Sequence, residues 1–341
     1  MRPTPHLPFA VPPLQAYLRE RLAAAGGALQ IEAVAGGQSN PTFFLSFAEG
    51  GRYVLRKQPG GSLLPSAHAI DREYRVLAAL AGSDVPVPPV LLYCAERELI
   101  GTPFYIMQRL DGRVFHDASL PGLQPAERQA IFASMNDTLV RLHRIDVDAV
   151  GLSDYGKPGN YFARQIQRWS KQFHSSGGGA GSAAIEKLIA WLPAHIPPGD
   201  ETRIAHGDYR LGNLLIHARE PRVIAVLDWE LSTLGHPLAD LGYNCMVWHA
   251  RPQDYQGIAG LDLDALGIPG VDAYAATYCR AAGRSDALQA FHVVFALFRV
   301  AVIMAGIVSR AAQGNAAAAN AAEMDRHCLS FAAKGCQLAG I

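Results

Sequence analysis

The spacing of apolar residues changes along the chain, from strand-like alternation in the first third to helical spacing after Gly112. Short apolar runs bounded by turn residues predict strands at residues 29–34, 42–47, 52–57 and 104–108. Helical periodicity predicts helices at residues 14–25, 66–80 and 124–145, and again from Ile185 onward. The pattern therefore predicts an α+β protein of two lobes, a small antiparallel-sheet N-lobe in residues 1–108 and a mainly helical C-lobe in residues 109–341.

Length and composition support an ordered chain with more than one core. The 341 residues are too many for a single compact core in most folds, and 50% of them are hydrophobic while 18% are charged. Because 30 acidic residues balance 30 basic ones, the charge gives no indication of a nucleic-acid partner. The five cysteines form no Cys-x-x-Cys pair, which argues against a disulfide framework or a zinc site and favours a cytoplasmic location.

Several segments bear on targeting and flexibility. The N-terminus lacks the apolar stretch that is typical of a signal peptide. Residues 291–309 are apolar enough to suggest a membrane span, but they contain His292 and Arg299, so we predict a buried helix and no membrane partner. The glycine-rich residues 175–182 predict a flexible surface loop, and the alanine-rich residues 314–322 predict a plain helix.

The most specific motif is the run His-Gly-Asp-Tyr-Arg-Leu-Gly-Asn at residues 206–213, followed by an apolar strand that ends in Asp228. Asp208 and Asn213 are five positions apart, the spacing of the kinase catalytic loop, where the aspartate accepts a hydroxyl proton and the asparagine holds Mg²⁺. Two short strands at residues 214–217 and 223–227 predict a hairpin that carries Asp228 back beside Asn213 as a second metal ligand. The motif predicts a phosphotransfer site.

Phosphoryl transfer also requires positive charge and backbone N–H groups near the phosphates. The glycine-containing turn at residues 36–42 could supply such N–H groups, with Gly37, Ser39 and Asn40 as the candidate contacts. An ordinary hairpin turn is the alternative interpretation, since the turn lacks a Gly-x-Gly-x-x-Gly pattern.

The strand at residues 52–57 ends in two cations, Arg56 and Lys57, of which only one can point to the nucleotide because strand residues alternate between faces. We favour Arg56, although Lys57 could substitute and both could be solvated charges at a strand end. Glu73 lies on the apolar stripe of the following helix, together with Ile70 and Leu77. A carboxylate in that position needs a cation, and the adjacent strand would provide it.

Three other polar residues near the motif have a structural interpretation. His206 is expected to pack and to hydrogen-bond the loop backbone, and Asp240 is expected to organise the loop from a buried position. Trp229, which follows Asp228, is expected to pack in the core.

Taken together, these motifs resemble the aminoglycoside phosphotransferase family, and within it the phosphotransferases related to the kinase-like domain fused to acyl-CoA dehydrogenases in animals. The segments that carry the resemblance are residues 36–44, 53–57, 73, 85–88, 101–112, 206–213 and 227–230. The resemblance implies a protein-kinase-like bilobal fold with Mg²⁺ and ATP or GTP as cofactors. By the resemblance, Asp208 would be the catalytic base, and Asn213 and Asp228 would be the magnesium ligands. Arg56 would be the cation that contacts the phosphates and Glu73 its partner. Residues Gln108 to Leu110 would form the adenine hinge.

Two positions depart from the kinase pattern. Arginine rather than lysine stands at position 56, which favours a bidentate contact over a point charge. Glu230 replaces the glycine that protein kinases have after the metal aspartate and its aromatic neighbour, so the conformational freedom of that glycine is absent.

The expected acceptor is a small-molecule hydroxyl, because Asp240 follows Asp228 by only twelve positions and leaves no room for a long peptide-docking segment. An aminoglycoside, the alternative acceptor, would need an acidic pocket, yet residues 241–341 contain seven acidic and seven basic residues. Arg164, Arg168 and Lys171 form a basic helical stripe that could bind an anionic acceptor such as a hydroxyacyl-CoA, or could be a solvated face. The alternative from another functional class is that the protein binds a nucleotide without catalysing phosphoryl transfer, as a catalytically silent nucleotide-binding module.

Overall fold

The computed structural model describes residues 7–34, 40–60, 69–177, 182–255, 257–312 and 321–341. The chain divides into two compact units. Unit 1 consists of Met1–Gly112 and Ala225–Glu230, and unit 2 consists of Arg113–Ile224 and Leu231–Ile341. The segment Ala225–Glu230, which we assigned by sequence to the second lobe, therefore belongs to the compact unit that contains the first lobe.

Unit 1 is built on a five-stranded antiparallel sheet with the strand order β1-β2-β3-β5-β4. Its strands are β1 (Leu29–Ala33), β2 (Thr42–Phe47), β3 (Arg52–Lys57), β4 (Val90–Cys94) and β5 (Phe104–Gln108). Its helices are α1 (Val11–Arg19), α2 (Ile70–Leu80) and α3 (Arg97–Ile100). The register pairs Val54 of β3 with Phe44 of β2 and with Met107 of β5.

The two faces of the sheet in unit 1 have different neighbours. Leu14 and Leu18 of α1 belong to one buried apolar cluster with Tyr53 and Leu55 of β3. Helix α2 packs against β4 and β5. Because side chains alternate along β3, Arg56 lies on the face opposite to Tyr53 and Leu55. Of the two cations at the end of β3, Arg56 and Lys57, only the one on the face towards α2 can contact that helix.

Unit 2 is mainly helical. Its helices are α4 (Pro125–Arg144), α5 (Tyr161–Ser175), α6 (Ser182–Ala194), α7 (Pro237–Cys245), α8 (Leu263–Leu266), α9 (Val271–Ala281), α10 (Ala290–Ala312) and α11 (Ala321–Ala339). The strands outside the five-stranded sheet are β6 (Gly112–Arg113), β7 (Arg203–Ala205), β8 (Leu214–His217), β9 (Val223–Val226) and β10 (Thr233–Gly235), and a boundary between the units falls within β6 and within β9. Helix α10 is central, since it packs against α5, α6, α7 and α11.

Helix α10 confirms the prediction of a buried helix at residues 291–309. Among the described residues it is the one helix long and apolar enough to cross a membrane, with a mean hydropathy of 2.3 over the window. However, 83% of that window is buried inside the structure, and a core helix passes the same test of length and composition. Its polar residues His292 and Arg299 are buried as well.

Most predicted elements agree with the structure to within a few residues. The strands predicted at 42–47, 52–57 and 104–108 are β2, β3 and β5. The helix predicted at 14–25 begins earlier, at Val11, because a proline fits the first helical turn, and it ends at Arg19. Residues 178–181 of the predicted loop, residues 314–320 of the predicted helix, and Gly37 and Ser39 lie outside the described residues.

Candidate active site

In unit 1, an ion pair joins β3 to α2. The Nε atom of Arg56 lies 3.0 Å from Oε2 of Glu73, and its Nη2 donates a hydrogen bond to Oε1 over 3.3 Å. The Glu73 side chain is only 1% exposed. The predicted pairing of these two residues is therefore present, and the carboxylate on the apolar stripe of α2 has its cation.

Two further donors complete the surroundings of Glu73. The Nδ2 atom of Asn40 donates to Oε1, and the hydroxyl of Tyr105 on β5 donates to Oε2 over 3.1 Å. Burial raises the pKa of the Glu73 carboxyl, while Arg56, Asn40 and Tyr105 offset part of that rise. Asn40, predicted as a phosphate contact, thus has its amide nitrogen committed to Glu73.

Asp228 meets the same cation. Its Oδ1 lies 3.0 Å from Nη2 of Arg56, and its side chain is 36% exposed. Its backbone has φ +64°, a left-handed conformation that is costly for a non-glycine residue and that persists where the surroundings enforce it. Burial opposes the charge of Arg56, but Tyr105, Glu73 and Asp228 outweigh that effect and raise the pKa of its guanidinium.

Lys57 lies apart from this cluster. It is 4% exposed, and its Nζ is 6.0 Å from the centre of the Phe9 ring. Burial lowers the pKa of Lys57. The structure therefore brings Arg56, and not Lys57, together with Glu73 and Asp228.

The predicted adenine hinge begins at the last residue of β5. Gln108 is exposed, and its backbone N–H donates to Pro89 O over 2.8 Å. Leu110 is half-buried. The adjacent Asp111 receives two hydrogen bonds of 2.7 Å from the guanidinium of Arg52, which fixes the chain just after the hinge.

In unit 2, the catalytic loop begins with a turn that only glycine can make easily. Gly207 has φ +81°, and a Cβ atom at this position would lie 2.6 Å from Leu231 O. Both the conformation and the close approach exclude a side chain. The glycine before Asp208 is thus required by the path of the backbone.

The carboxylate of Asp208 is held from both sides. The Nδ2 atom of Asn213 donates to its Oδ2 over 2.7 Å and to its backbone carbonyl over 2.9 Å. The hydroxyl of Tyr243, on α7, donates to Oδ1. Burial, followed by the charge of Asp208, raises the pKa of Tyr243 far above the ordinary tyrosine value, so this phenol keeps its proton and stays a donor.

Asp240 organises the loop from below, as the sequence predicted. It is 2% exposed and accepts the backbone N–H groups of His206, over 2.6 Å, and Gly207, over 2.9 Å. His143 of α4 lies 3.3 Å away. Burial disfavours the charged carboxylate, but His143 and the loop N–H groups outweigh this effect and lower its pKa. The Nδ1 of His206 also accepts from Asp208 N over 3.2 Å, which confirms the structural role predicted for this histidine.

Arg299 and Tyr243, which contact the loop in unit 2, were not foreseen from the sequence, and neither was Tyr105 in unit 1. Arg299, on α10, donates a hydrogen bond to Gly207 O, and its guanidinium carbon lies 5.7 Å from the Trp169 ring centre and 5.5 Å from that of Tyr243. The position of Arg299 as a lone cation in an apolar run indicated that it needs a buried partner. That partner, Gly207 O, lies 92 residues away in the sequence and could not be identified from it. Tyr243 carried no such signal.

The donor chemistry fits Mg²⁺, which prefers oxygen ligands and is usually bound by one or two carboxylates together with substrate phosphates. Asn213 directs its nitrogen to Asp208, which leaves the amide oxygen as the atom for a cation. Asp228 offers a partly exposed carboxylate in unit 1, while Asn213 lies in unit 2. Within the described ranges, no group of three or more His, Cys, Asp or Glu residues could hold a metal by itself.

The basic stripe predicted on α5 is only partly available for an anion. The guanidinium of Arg164 donates to the carbonyls of Lys157 and Pro158, and so fastens the preceding loop. Arg168 lies 5.3 Å from the Trp169 ring centre and is exposed, as is Lys171.

The sheet of unit 1 and the catalytic loop of unit 2 define a kinase-like phosphotransferase. Residues 30–291 match the APH phosphotransferase enzyme family, which is most of the chain. The chain belongs to this family, as the resemblance of its motifs implied.

Several proteins that are similar to this chain are named acyl-CoA dehydrogenases. The chain is 42% identical to mouse acyl-CoA dehydrogenase family member 10 over 94% of its length, and 41% identical to human acyl-CoA dehydrogenase family member 11 over 89%. It is 43% identical to the probable acyl-CoA dehydrogenase IBR3 of Arabidopsis thaliana over 83%. The alignments span 30%, 39% and 36% of those proteins, so the chain corresponds to about a third of each.

Solved structures share the whole fold. A protein of Ralstonia eutropha JMP134, provisionally named an aminoglycoside phosphotransferase, is 46% identical, with a TM-score of 0.88 over 97% of this chain and 98% of its own. The macrolide 2'-phosphotransferase MphH of Brachybacterium faecium is 19% identical, with a TM-score of 0.62 over 94% of this chain and 98% of its own. At that identity the likeness to MphH concerns the fold alone.

Proposed function

We propose that the protein is a magnesium-dependent small-molecule kinase that transfers the γ-phosphoryl group of ATP or GTP to a hydroxyl of an anionic, hydroxyacyl-CoA-like metabolite. The main support for the proposal is the set of hydrogen bonds around Asp208. Its carboxylate is oriented by Asn213 and Tyr243, in a loop that Asp240 fixes. Such a carboxylate is in place to accept a hydrogen bond from an acceptor hydroxyl.

In the proposed reaction, the acceptor oxygen bonds to the γ-phosphorus as the bond to the β,γ-bridging oxygen breaks, and the hydroxyl proton passes to Asp208. Arg56, fixed by Glu73, would contact the nucleotide phosphates. Asn213 and Asp228 would hold Mg²⁺, which supplies neutralisation of the phosphate charge when bound. Gln108 and Leu110 would border the adenine, and the turn containing Gly37 and Ser39 would approach the phosphates.

Two observations support the choice of acceptor class. The relatives of this chain include proteins named acyl-CoA dehydrogenases, in which a hydroxyacyl-CoA would be a chemically related metabolite. The described residues beside Asp208 include a cation, Arg210, at 3.6 Å from its Oδ1, which does not suit a polycationic aminoglycoside. We further propose a cytoplasmic location for this activity.

Replacement of the base tests the proposal. Asp208→Asn should lower kcat by roughly 10²- to 10⁴-fold with nucleotide affinity nearly unchanged, because the group lost acts on the acceptor hydroxyl. Consumption of ATP and of GTP would be measured with hydroxyacyl-CoA thioesters and with kanamycin as acceptors. Asp137→Asn, at an exposed aspartate of α4, is the matched control and should keep parental activity.

Each alternative has its own outcome. Retention of more than about a tenth of the parental rate in Asp208→Asn would contradict the assignment of the base. Turnover of kanamycin alone would show that the protein is an aminoglycoside-type antibiotic kinase. Magnesium-dependent nucleotide binding, detected by a rise in Tm, without consumption with either acceptor would favour a silent nucleotide-binding module.

A further inference from the structure

Arg210 follows the proposed base by two positions and is bonded incompletely. Its Nε lies 3.6 Å from Oδ1 of Asp208, too far for a hydrogen bond, and this buried atom has no hydrogen-bond partner among the described residues. The side chain is nevertheless 30% exposed, so the rest of the guanidinium can reach a ligand. A buried donor without an acceptor is unusual in a native protein and indicates a missing partner.

Tyr255 provides a platform for this guanidinium. The guanidinium carbon of Arg210 lies 5.9 Å from the Tyr255 ring centre, within the range of a cation–π contact. Tyr255 has φ +62°, a strained conformation for a tyrosine, and its ring packs edge-on against His327 and Phe331 of α11, each at 5.8 Å. Strain that is held by packing in this way is typical of ligand sites.

His327 adds a second incomplete group beside the same ring. It is 5% exposed, its Nε2 lies 3.5 Å from Oε1 of Glu323, and its buried Nδ1 has no hydrogen-bond partner among the described residues. Two sides of Tyr255 thus carry buried nitrogen atoms that lack a hydrogen-bond partner among the described residues. The Nε–H of Arg210 can only donate, so an oxygen-rich group would satisfy it and an ammonium group would not, whereas Nδ1 of His327 donates or accepts according to its tautomer.

The guanidinium of Arg210 itself favours an anion, because the carboxylate beside it is already bonded elsewhere. Asp208 is the carboxylate next to it, and that carboxylate already accepts hydrogen bonds from Asn213 and Tyr243. The planar guanidinium presents its donors in a fork that matches a carboxylate or a phosphate. On α5, by contrast, Arg164 is occupied by backbone carbonyls.

We propose that Arg210, supported by Tyr255, is a specificity-determining residue that binds an anionic oxygen group of the acceptor, a carboxylate or a phosphate, next to the hydroxyl that Asp208 engages. The proposal rests on the proposed function. It adds to that function a residue that distinguishes charged from neutral acceptors.

Matched acceptor pairs test this role with the full-length protein and Mg-ATP. One pair is a hydroxy acid and its methyl ester, which differ in the carboxylate. The other is a hydroxyacyl-4'-phosphopantetheine and the corresponding hydroxyacyl-pantetheine, which differ in one phosphate. In the parent, the charged member of at least one pair should have a KM roughly 10-fold or more below that of its neutral partner. The pair that shows the preference identifies the source of the anion.

The variant Arg210→Gln should remove this preference, so that the KM ratio of the pair falls to within about twofold of one. Arg219→Gln, at an exposed arginine in the turn after β8, should keep the parental ratio. Arg210→Lys retains the charge but not the planar fork, and should give an intermediate ratio. Circular dichroism and Tm would show that each variant is folded.

Three results would overturn the inference: an unchanged KM ratio in Arg210→Gln, equal KM values for both members of each pair in the parent, or an equal loss of kcat for charged and neutral acceptors without a change in KM. The last result would assign Arg210 to the transferred phosphoryl group. Turnover of neutral acceptors alone would also overturn the inference and the anionic acceptor class but leave the phosphotransfer chemistry of the proposed function intact, whereas no nucleotide consumption with any acceptor would contradict both proposals.

Discussion

Glu73 and Asp208 show how single carboxylates are set up differently in the two units. Glu73 is almost fully buried and is bonded to a cation, an amide and a phenol, so it serves to fix Arg56. Asp208 is 20% exposed and keeps access to a ligand while Asn213 and Tyr243 orient it. Burial thus separates a positioning carboxylate from the one that we propose as the base.

The Arg56–Glu73 pair leads to a prediction about coupling. Arg56→Met and Glu73→Gln should each weaken Mg-ATP binding, and the double variant should lose less than the sum of the two, because the residues act through one contact. A double-mutant cycle on the nucleotide Kd measures this coupling, which we expect at roughly 0.5–3 kcal/mol.

Lys57→Met is the matched control for Arg56→Met, since Lys57 adjoins it on the opposite face of β3 near Phe9. It should leave the nucleotide Kd within about twofold of the parent. Strict additivity in the cycle, or a larger loss in Lys57→Met than in Arg56→Met, would contradict this assignment of the phosphate cation.

At the scale of elements, α10 links the core of unit 2 to its catalytic loop. Most of its length is apolar and buried, yet Arg299 leaves this apolar environment to bond Gly207 O. Asp240 on α7 accepts the N–H of the same Gly207 over 2.9 Å. The backbone before Asp208 is therefore held by one buried charge of each sign, on two different helices.

We expect Arg299→Met to lower kcat by about 10- to 100-fold with a smaller effect on nucleotide Kd, because a loop that moves by an ångström misplaces Asp208. Methionine fills similar space and removes a buried charge, so the protein should remain folded. Steady-state kinetics and Tm provide the measurements. Arg310→Met, at the exposed end of the same helix, should behave like the parent. Parental kcat in Arg299→Met would show that the contact does not position the loop.

At the scale of the whole molecule, buried histidines link stability to pH. His292 on α10 is 1% exposed, and burial, followed by the positive charge of His236, lowers its pKa from 6.5 to about 4. The depressed pKa means that the unfolded chain binds the proton first, so the free energy of unfolding falls as pH decreases from 6.5 towards 4. At pH 5 this single group should cost about 2 kcal/mol.

The variant His292→Asn tests this contribution, because asparagine can still accept the hydrogen bond that Gln289 N donates over 2.9 Å. The loss of unfolding free energy between pH 7 and pH 5, measured by denaturant titration, should be smaller in the variant by roughly that amount. His195→Asn, at an exposed histidine, is the control and should retain the parental pH dependence. An equal acid sensitivity in all three proteins would contradict the role of His292.

The sequence by itself determined the features that depend on local spacing. Alternation along β3 separated Arg56 from Lys57, and the helical stripe of α2 showed that Glu73 needed a cation. The catalytic-loop spacing identified Asp208 and Asn213, which the structure joins by a hydrogen bond of 2.7 Å. These features were predictable because strand and helix periodicities fix which side chains share a face within a few residues.

Only the tertiary structure decided which distant residues complete the site. Tyr243 reaches Asp208 across 35 positions and Arg299 reaches Gly207 across 92, and no periodicity connects such residues. It also assigned Ala225–Glu230 to unit 1 and committed Arg164 to loop carbonyls. Packing of whole helices and strands sets these contacts, because a buried polar group must find its partner wherever the fold places one.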